Sequence, residues 1–246
     1  MDHLIYTAMS GAKQAFSRQA GVAQSLANAT TTGYRDIVKA FRAVSVQGAG
    51  LPTRAFVVET SSSGLFEPGP MISTGRPLDV AVQGAGWIAV QGADGNEAYT
   101  RAGNLQPNAN GQLQTAAGFN VLGEDGALTL PPDSRVLIAA DGTVSAIPLF
   151  GVPNNVSVVG RIKLVNPPEA DLLRGADGLF RLKSGTPADA DANVKLASET
   201  LEGSNVNSVR SMIDMIGAAR FFDMQMKVIK AADENANKAG QLLTAR

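Results

Sequence analysis

Two stretches of this 246-residue chain place side chains at spacings that chemistry uses. Gly84, Gly86 and Ala89 in "VAVQGAGWIA" form a G-x-G-x-x-A after an apparent strand, the pattern that lets a backbone approach a dinucleotide at a helix N-terminus. That motif requires a helix next, yet "VQGADGNE" returns to a turn, and no acidic residue follows about twenty positions on. A tight turn before a strand is the better reading. Asp189, Asp191 and Asn193 open like a calcium loop, but position six is Val194, where the bend needs Gly, and position twelve is Thr200, where a bidentate Glu belongs. A solvated acidic turn is expected instead. Asn28-Ala-Thr30 and Asn155-Val-Ser157 match the glycosylation acceptor pattern and, without a secretory signal, read as helix-stop and turn residues. Cysteine is absent, which excludes disulfides, thiolate-held zinc and thiol catalysis. No G-x-S-x-G occurs, and a triad would depend on His3, the one histidine, at a fraying end. No enzyme, cofactor or metal is expected.

The remaining sequence must therefore act through its surfaces. Hydrophobic residues make up 44% of the chain and mean hydropathy is +0.02, which places it among globular proteins able to build a core. A net charge of −1 offers no field for nucleic acid or an anionic membrane. No apolar run approaches the eighteen or so residues of a membrane span, and Met1-Asp2-His3 does not begin a cleavable signal peptide. A soluble chain without membrane insertion is expected.

Helical periodicity marks both ends. Ile5, Met9, Ala12, Phe16, Gln19, Ala23 and Leu26 alternate steps of four and three, the stripe of a helix that packs on other helices. Met215, Ala219, Phe222, Met226, Ile229, Asp233, Ala236, Gly240 and Leu243 keep the same rhythm at the other end, with Val209, Met212 and Ile216 leading in. Gln19 and Asp233 are polar interruptions of the kind that select register and partner. Ser204, Asn205 and Asn207 precede the second helix as candidate caps. Between the helices the period becomes two, as at Leu78, Val80 and Val82 or Phe180 and Leu182, punctuated by Ala-Asp-Gly at 93–95, 140–142 and 176–178. The expected fold is α+β: long N- and C-terminal helices packed as an antiparallel, coiled-coil-like pair, with a central, mainly antiparallel β domain. The expected boundaries are 1–35 with 204–246 for the helices, 36–76 for an extended connector and 77–203 for the β domain.

A lone helix of this length is marginal in water. Burying Ile5, Met9, Phe16 and Leu26 is worth about 6–12 kcal/mol, provided something covers them. Two paired helices cover one side of each other only, and Phe221 and Met224 lie off the seam. Other subunits are expected to complete the bundle, with "NATTTG" ending the first helix and Gly33 turning the chain outward.

Three blocks carry a family resemblance. "MSGAKQAFSRQAGVAQSLANATTTGYRD" resembles the N-terminal signature of the flagellar rod, hook and hook-associated axial proteins, with Leu26, Ala27, Asn28, Thr30, Gly33 and Tyr34 on its helix-stop motif. "RPLDVAVQGAGWIAVQGADGNEAYTRAGNLQPNANGQL" is similar to the central signature and "LEGSNVNSVRSMIDMIGAARFFDMQMKVIKAADE" to the C-terminal one. The chain departs at Pro107-Asn108, where relatives often carry an Asp. The resemblance implies a structural subunit of the proximal rod, or alternatively of the distal rod, that self-associates with other rod subunits in a helical array. It implies export through the flagellar type III apparatus without a cleaved signal, and a place in the periplasmic rod that transmits torque. A soluble adaptor, forming a small defined oligomer, is the rival from another class.

Overall fold

The computed structural model describes residues 2–45, 55–64, 66–149 and 156–244. The chain divides into two units, one of Met1–Ala29, Asp36–Leu65 and Val206–Arg246, the other of Thr30–Arg35 and Phe66–Asn205. The fold is α+β, with terminal helices packed together and a central antiparallel β-rich region.

In the first unit α1 (Asp2–Ala27) and α2 (Ser208–Thr244) run antiparallel. Arg18 Nη2 meets Asp214 Oδ1 at 3.1 Å, and Gly11 lies so close to α2 that a Cβ there would sit 3.0 Å from Gln225 Cδ. The start of α2 is capped as expected, because Asn207 Oδ1 accepts the Arg210 N–H at 3.0 Å.

The same unit holds a hairpin, β1 (Ile37–Ser45) and β2 (Ala55–Gly64), paired from Ile37↔Gly64 to Ser45↔Ala55 with a bulge at Ala40/Phe41. This corrects the extended connector expected over 36–76: the Val- and Phe-bearing segments "IVKAFRAVS" and "AFVVET" supply each other's backbone partners. Gly, Ser and Pro around them hid that signal. The "QGAGLPT" stretch lies outside the described residues. Helix α1 covers the outer edge of β2. Gln14 Nε2 donates to the Val57 carbonyl at 3.2 Å, the Val57 N–H donates to Ser10 Oγ at 3.3 Å, and Ser17 Oγ donates to Glu59 Oε2 at 3.2 Å. An edge capped by a helix is closed to stray pairing.

The second unit opens with β3 (Met71–Ser73), β4 (Val80–Gln83), β5 (Trp87–Gln91), β6 (Glu97–Thr100), β7 (Leu105–Pro107) and β8 (Leu113–Thr115). It continues through β9 (Leu122–Gly123), β10 (Gly126–Ala127), β11 (Ser134–Ile138), β12 (Thr143–Pro148), β13 (Ser157–Arg161) and β14 (Leu164–Val165). Last come β15 (Leu172–Arg174), β16 (Phe180–Leu182), β17 (Lys195–Ser198) and β18 (Thr200–Glu202). The central sheet has the order β14-β5-β6-β16-β15, and β11-β12-β13 form another. Strand β5 shows why both faces are apolar: Ile88 and Val90 enter a core with Val80, Leu105, Leu113 and Leu196, while Trp87 and Ala89 enter a second with Tyr99 and Phe180. Ala81, between Val80 and Val82 on β4, is likewise fully buried.

The Ala-Asp-Gly turns share one device. Asp94, Asp141 and Asp177 each accept the N–H two residues on, from Asn96, Thr143 and Leu179, and Gly95, Gly142 and Gly178 follow with φ of +80°, +89° and +83°. At the family departure, Asn108 Oδ1 accepts from Asn110 and Gln112, both at 2.9 Å, and so organises its turn.

Tyr99 is 1% exposed; its hydroxyl donates to Glu97 Oε1 at 3.0 Å and accepts the Ala188 N–H at 2.7 Å. Burial first, and Glu97 beside it, push its pKa up to about 12. The folded state thus holds this proton more tightly than the unfolded chain, so the contribution is complete below pH ~10 and is lost as pH rises towards ~12. In the difference between the phenolate absorbance titrations of the native chain and Tyr99→Phe, the expected step lies near pH 12. A step near pH 10 contradicts the burial argument.

Candidate assembly interface

The helix pair is closed by small side chains. Ala8, Ala12 and Ala15 are 4–7% exposed, and with half-buried Gln19, Val22 and Leu26 they trace the inward face of α1. On α2, Ser211, Ala218 and Ala232 are buried and Met215, Phe222, Gln225 and Ile229 half-buried, in the same four-and-three rhythm. Axis separation follows the side chains at the contact, so alanines bring the helices close and bulky residues are turned away.

The predicted seams therefore split. Ala12 is covered within the chain, and Ile5, Gln19 and Leu26 partly so, whereas Met9, Phe16 and Ala23 face outward, Phe16 at 65% exposure. Met215, Ala219, Phe222 and Ile229 are half-buried, while Val209, Met212, Ile216, Met226 and Asp233 are exposed. The side chain of Leu243 lies outside the described residues. Tyr6 and Ile213, outside the four-and-three stripes, are also exposed, Ile213 at 65%. They sit one residue off the predicted stripe, and only the position of the inward face reveals them. Exposed large apolar side chains therefore stand on both terminal helices.

The second unit fastens its own incoming and outgoing segments. Helix α1 ends at Ala27, and Asn28 Nδ2 donates to the Gln24 carbonyl at 2.8 Å. Gly33, expected to finish that helix, lies six residues beyond its end and serves elsewhere. It has φ +66°, donates its N–H to the Glu202 carbonyl at 2.7 Å, and leaves no room for a Cβ, which would fall 2.3 Å from the backbone of Arg101. Tyr34 lies under the Arg174 guanidinium, 4.5 Å from ring centroid to Cζ, and Arg174 Nη1 donates to the Arg35 carbonyl at 3.0 Å.

Arg35, Glu202 and Arg101 beside them are 1%, 0% and 4% exposed. Glu202 Oε1 meets Arg35 Nη2 at 2.6 Å and accepts the Gly69 N–H at 3.0 Å; Glu202 Oε2 meets Arg101 Nη1 at 3.0 Å. Arg101 Nη2 also donates to the Gly84 carbonyl at 2.7 Å. Burial pulls the Arg101 pKa below its usual value, and the adjacent Glu202 carboxylate pulls it back up. Sequence reasoning missed this triad because charged residues read as surface by default. Gly84 and Gly86 adopt φ +73° and +127° on the way into β5, not into a helix, which removes the dinucleotide reading. Among the described residues no cluster of three or more potential metal ligands occurs.

Bulky apolar side chains held in water on a rigid helical scaffold define a structural subunit, one that works by contact. Comparison with known proteins agrees. Residues 81–146 match the model of the flagellar hook protein FlgE/F/G D1 domain, and residues 197–242 that of the flagellar basal body rod FlgEFG protein C-terminal region. The chain is 49% identical over 250 residues to the flagellar basal-body rod protein FlgF of Escherichia coli strain K12, covering 99% of each. It is 48% identical to the protein of that name in Salmonella typhimurium strain LT2, again over 99% of each. The flagellar basal-body rod protein FlgG of Agrobacterium fabrum is 34% identical over 88% of this chain and 90% of its own. The chain belongs to the family of flagellar basal-body rod proteins FlgF.

Proposed function

We propose that this chain is a subunit of the proximal rod, the part of the drive shaft that crosses the periplasm, exported by the flagellar type III apparatus without a cleaved signal. The terminal helices of many copies pack side by side in a helical array. Torque then passes through many buried contacts in parallel, because close-packed interiors resist compression and transmit strain. The observation that carries this reading is the row of outward apolar side chains on each helix, Met9 and Phe16 on α1 and Val209, Met212 and Ile216 on α2, each 52–65% exposed. Among the described residues no helix is long and apolar enough to cross a membrane, so these side chains are not lipid anchors of a spanning kind.

The test places a charge in that row. Phe16→Asp and Ile216→Asp are expected to leave the fluorescence melt of Trp87, in the other unit, within about 0.5 kcal/mol of native, while reducing incorporation into purified basal bodies at least tenfold and abolishing swimming. Native incorporation of both variants contradicts the assignment of this surface.

A further inference from the structure

Resting on the rod reading, the geometry points to a specific register between neighbouring copies: the α1 strip of one chain docks on the outward face of α2 of a second copy, shifted along the helix axis. Three observations carry this.

The first is the placement of the apolar strips. At 100° per residue Val209, Met212, Ile213 and Ile216 lie on the side of α2 opposite buried Ser211 and Ala218, and Met9 and Phe16 lie together on one flank of α1. These are two different surfaces of one molecule, so joining them makes a heterologous contact that repeats from copy to copy.

The second is spacing. Met9 and Phe16 are seven residues apart, and so are Val209 and Ile216. Antiparallel helices with matching heptad spacing bring Met9 opposite Ile216 and Phe16 opposite Val209 in a single register.

The third is charge, which disfavours the unshifted arrangement. Arg18–Asp214 and Gly11–Gln225 mark which parts of α1 and α2 are level within one chain. A neighbour docked without a shift sets Phe16 level with residues 216–220 of α2 and Met9 level with 223–227, a stretch that exposes Phe221, Met224 and Met226 on its flanks but, beyond Ile216, turns Arg220, Asp223 and Lys227 outward. Burying those charges against apolar side chains is costly. Pairing apolar with apolar removes the conflict and moves the second copy by roughly seven to eleven residues, about 10–16 Å at 1.5 Å per residue. The same shift leaves Arg220, Asp223 and Lys227 in solvent.

The absence of cysteine makes the register directly readable. Chains carrying Met9→Cys with Ile216→Cys, or Phe16→Cys with Val209→Cys, are oxidised within purified basal bodies and run without reductant. Both pairs are expected to give ladders of disulfide-linked dimers and larger species. The single-cysteine chains and the pair Phe16→Cys with Arg220→Cys are expected to give at least tenfold less. Cross-linking by the Arg220 pair, or by Ile216→Cys alone, overturns the register, as does the lack of ladders from rods that contain the chain. A second measurement covers variants that fail to incorporate: Met9→Glu and Ile216→Lys are each expected to reduce swimming at least tenfold, and the double variant to recover most of it. A double variant no better than either single overturns the pairing. Absence of the unsubstituted chain from basal bodies refutes the rod reading itself, a result distinct from either failure of register.

Discussion

Glu202→Ala is expected to destabilise the β unit by about 3–5 kcal/mol, the range for breaking a buried ion pair by removing one partner. Glu202 is the only carboxylate paired with Arg35 and Arg101 among the described residues, and all three are almost wholly buried. Without it two guanidinium groups remain buried without a counter-charge, and among the described residues Arg35 has no hydrogen-bond partner for Nε or Nη1 even in the native structure. The Gly69 N–H loses its acceptor as well. Trp87, the one tryptophan, has the Arg101 guanidinium over its ring at 5.3 Å, so its fluorescence reports the site directly during urea unfolding. Replacing all three charged residues by leucine is expected to recover most of the loss, because desolvation opposes ion pairing and an apolar substitute avoids it. A Glu202→Ala midpoint within about 1 kcal/mol of native contradicts the triad's structural role.

Gly33→Ala is the second large effect, with an expected loss of about 3 kcal/mol. Placing a non-glycine residue at φ +66° costs about 1 kcal/mol or more. The larger penalty is steric, since the new Cβ falls 2.3–2.4 Å from the Arg101 carbonyl and the Ala102 nitrogen, which are backbone atoms that cannot swing aside. Relief requires lifting residues 31–34 from Arg101, which also breaks the Gly33 N–H bond to the Glu202 carbonyl. Gly217→Ala is the matched control. Gly217 lies inside α2 with nothing within 4 Å of its would-be Cβ, so the same chemical change is expected to stabilise by about 0.5–1 kcal/mol. Urea midpoints of the two variants should therefore move in opposite directions. A Gly33→Ala chain as stable as native contradicts the packing described for "TTTGYR".

The hairpin at Ile37–Gly64 shows how far local patterning reaches. Its strands carry no strict alternation, and two-stranded ribbons are weak alone, so nothing local distinguishes them from connector; the contacts from Ser10, Gln14 and Ser17 come from a helix 40 or more residues away. Gly33 shows a related limit. Its type announces a positive φ, but whether that closes a helix or seats a chain on Arg101 depends on where Ala27 ends α1.

By itself the sequence determined the existence of two amphipathic terminal helices, the Asx-and-glycine turns of the β domain, the cap at Asn207 and the family blocks, because each depends on residues within a few positions of one another. Tertiary structure alone decided which half of each apolar stripe is already covered. Ala12 turns inward and Phe16 outward although both fit the stripe, since the closest approach of α1 and α2 selects the smallest side chains. Tertiary structure likewise decided that Arg35, Arg101 and Glu202 are one buried group. Charges separated by 66 and 101 residues in the chain meet only after the strands around them have paired, and no local pattern encodes that meeting.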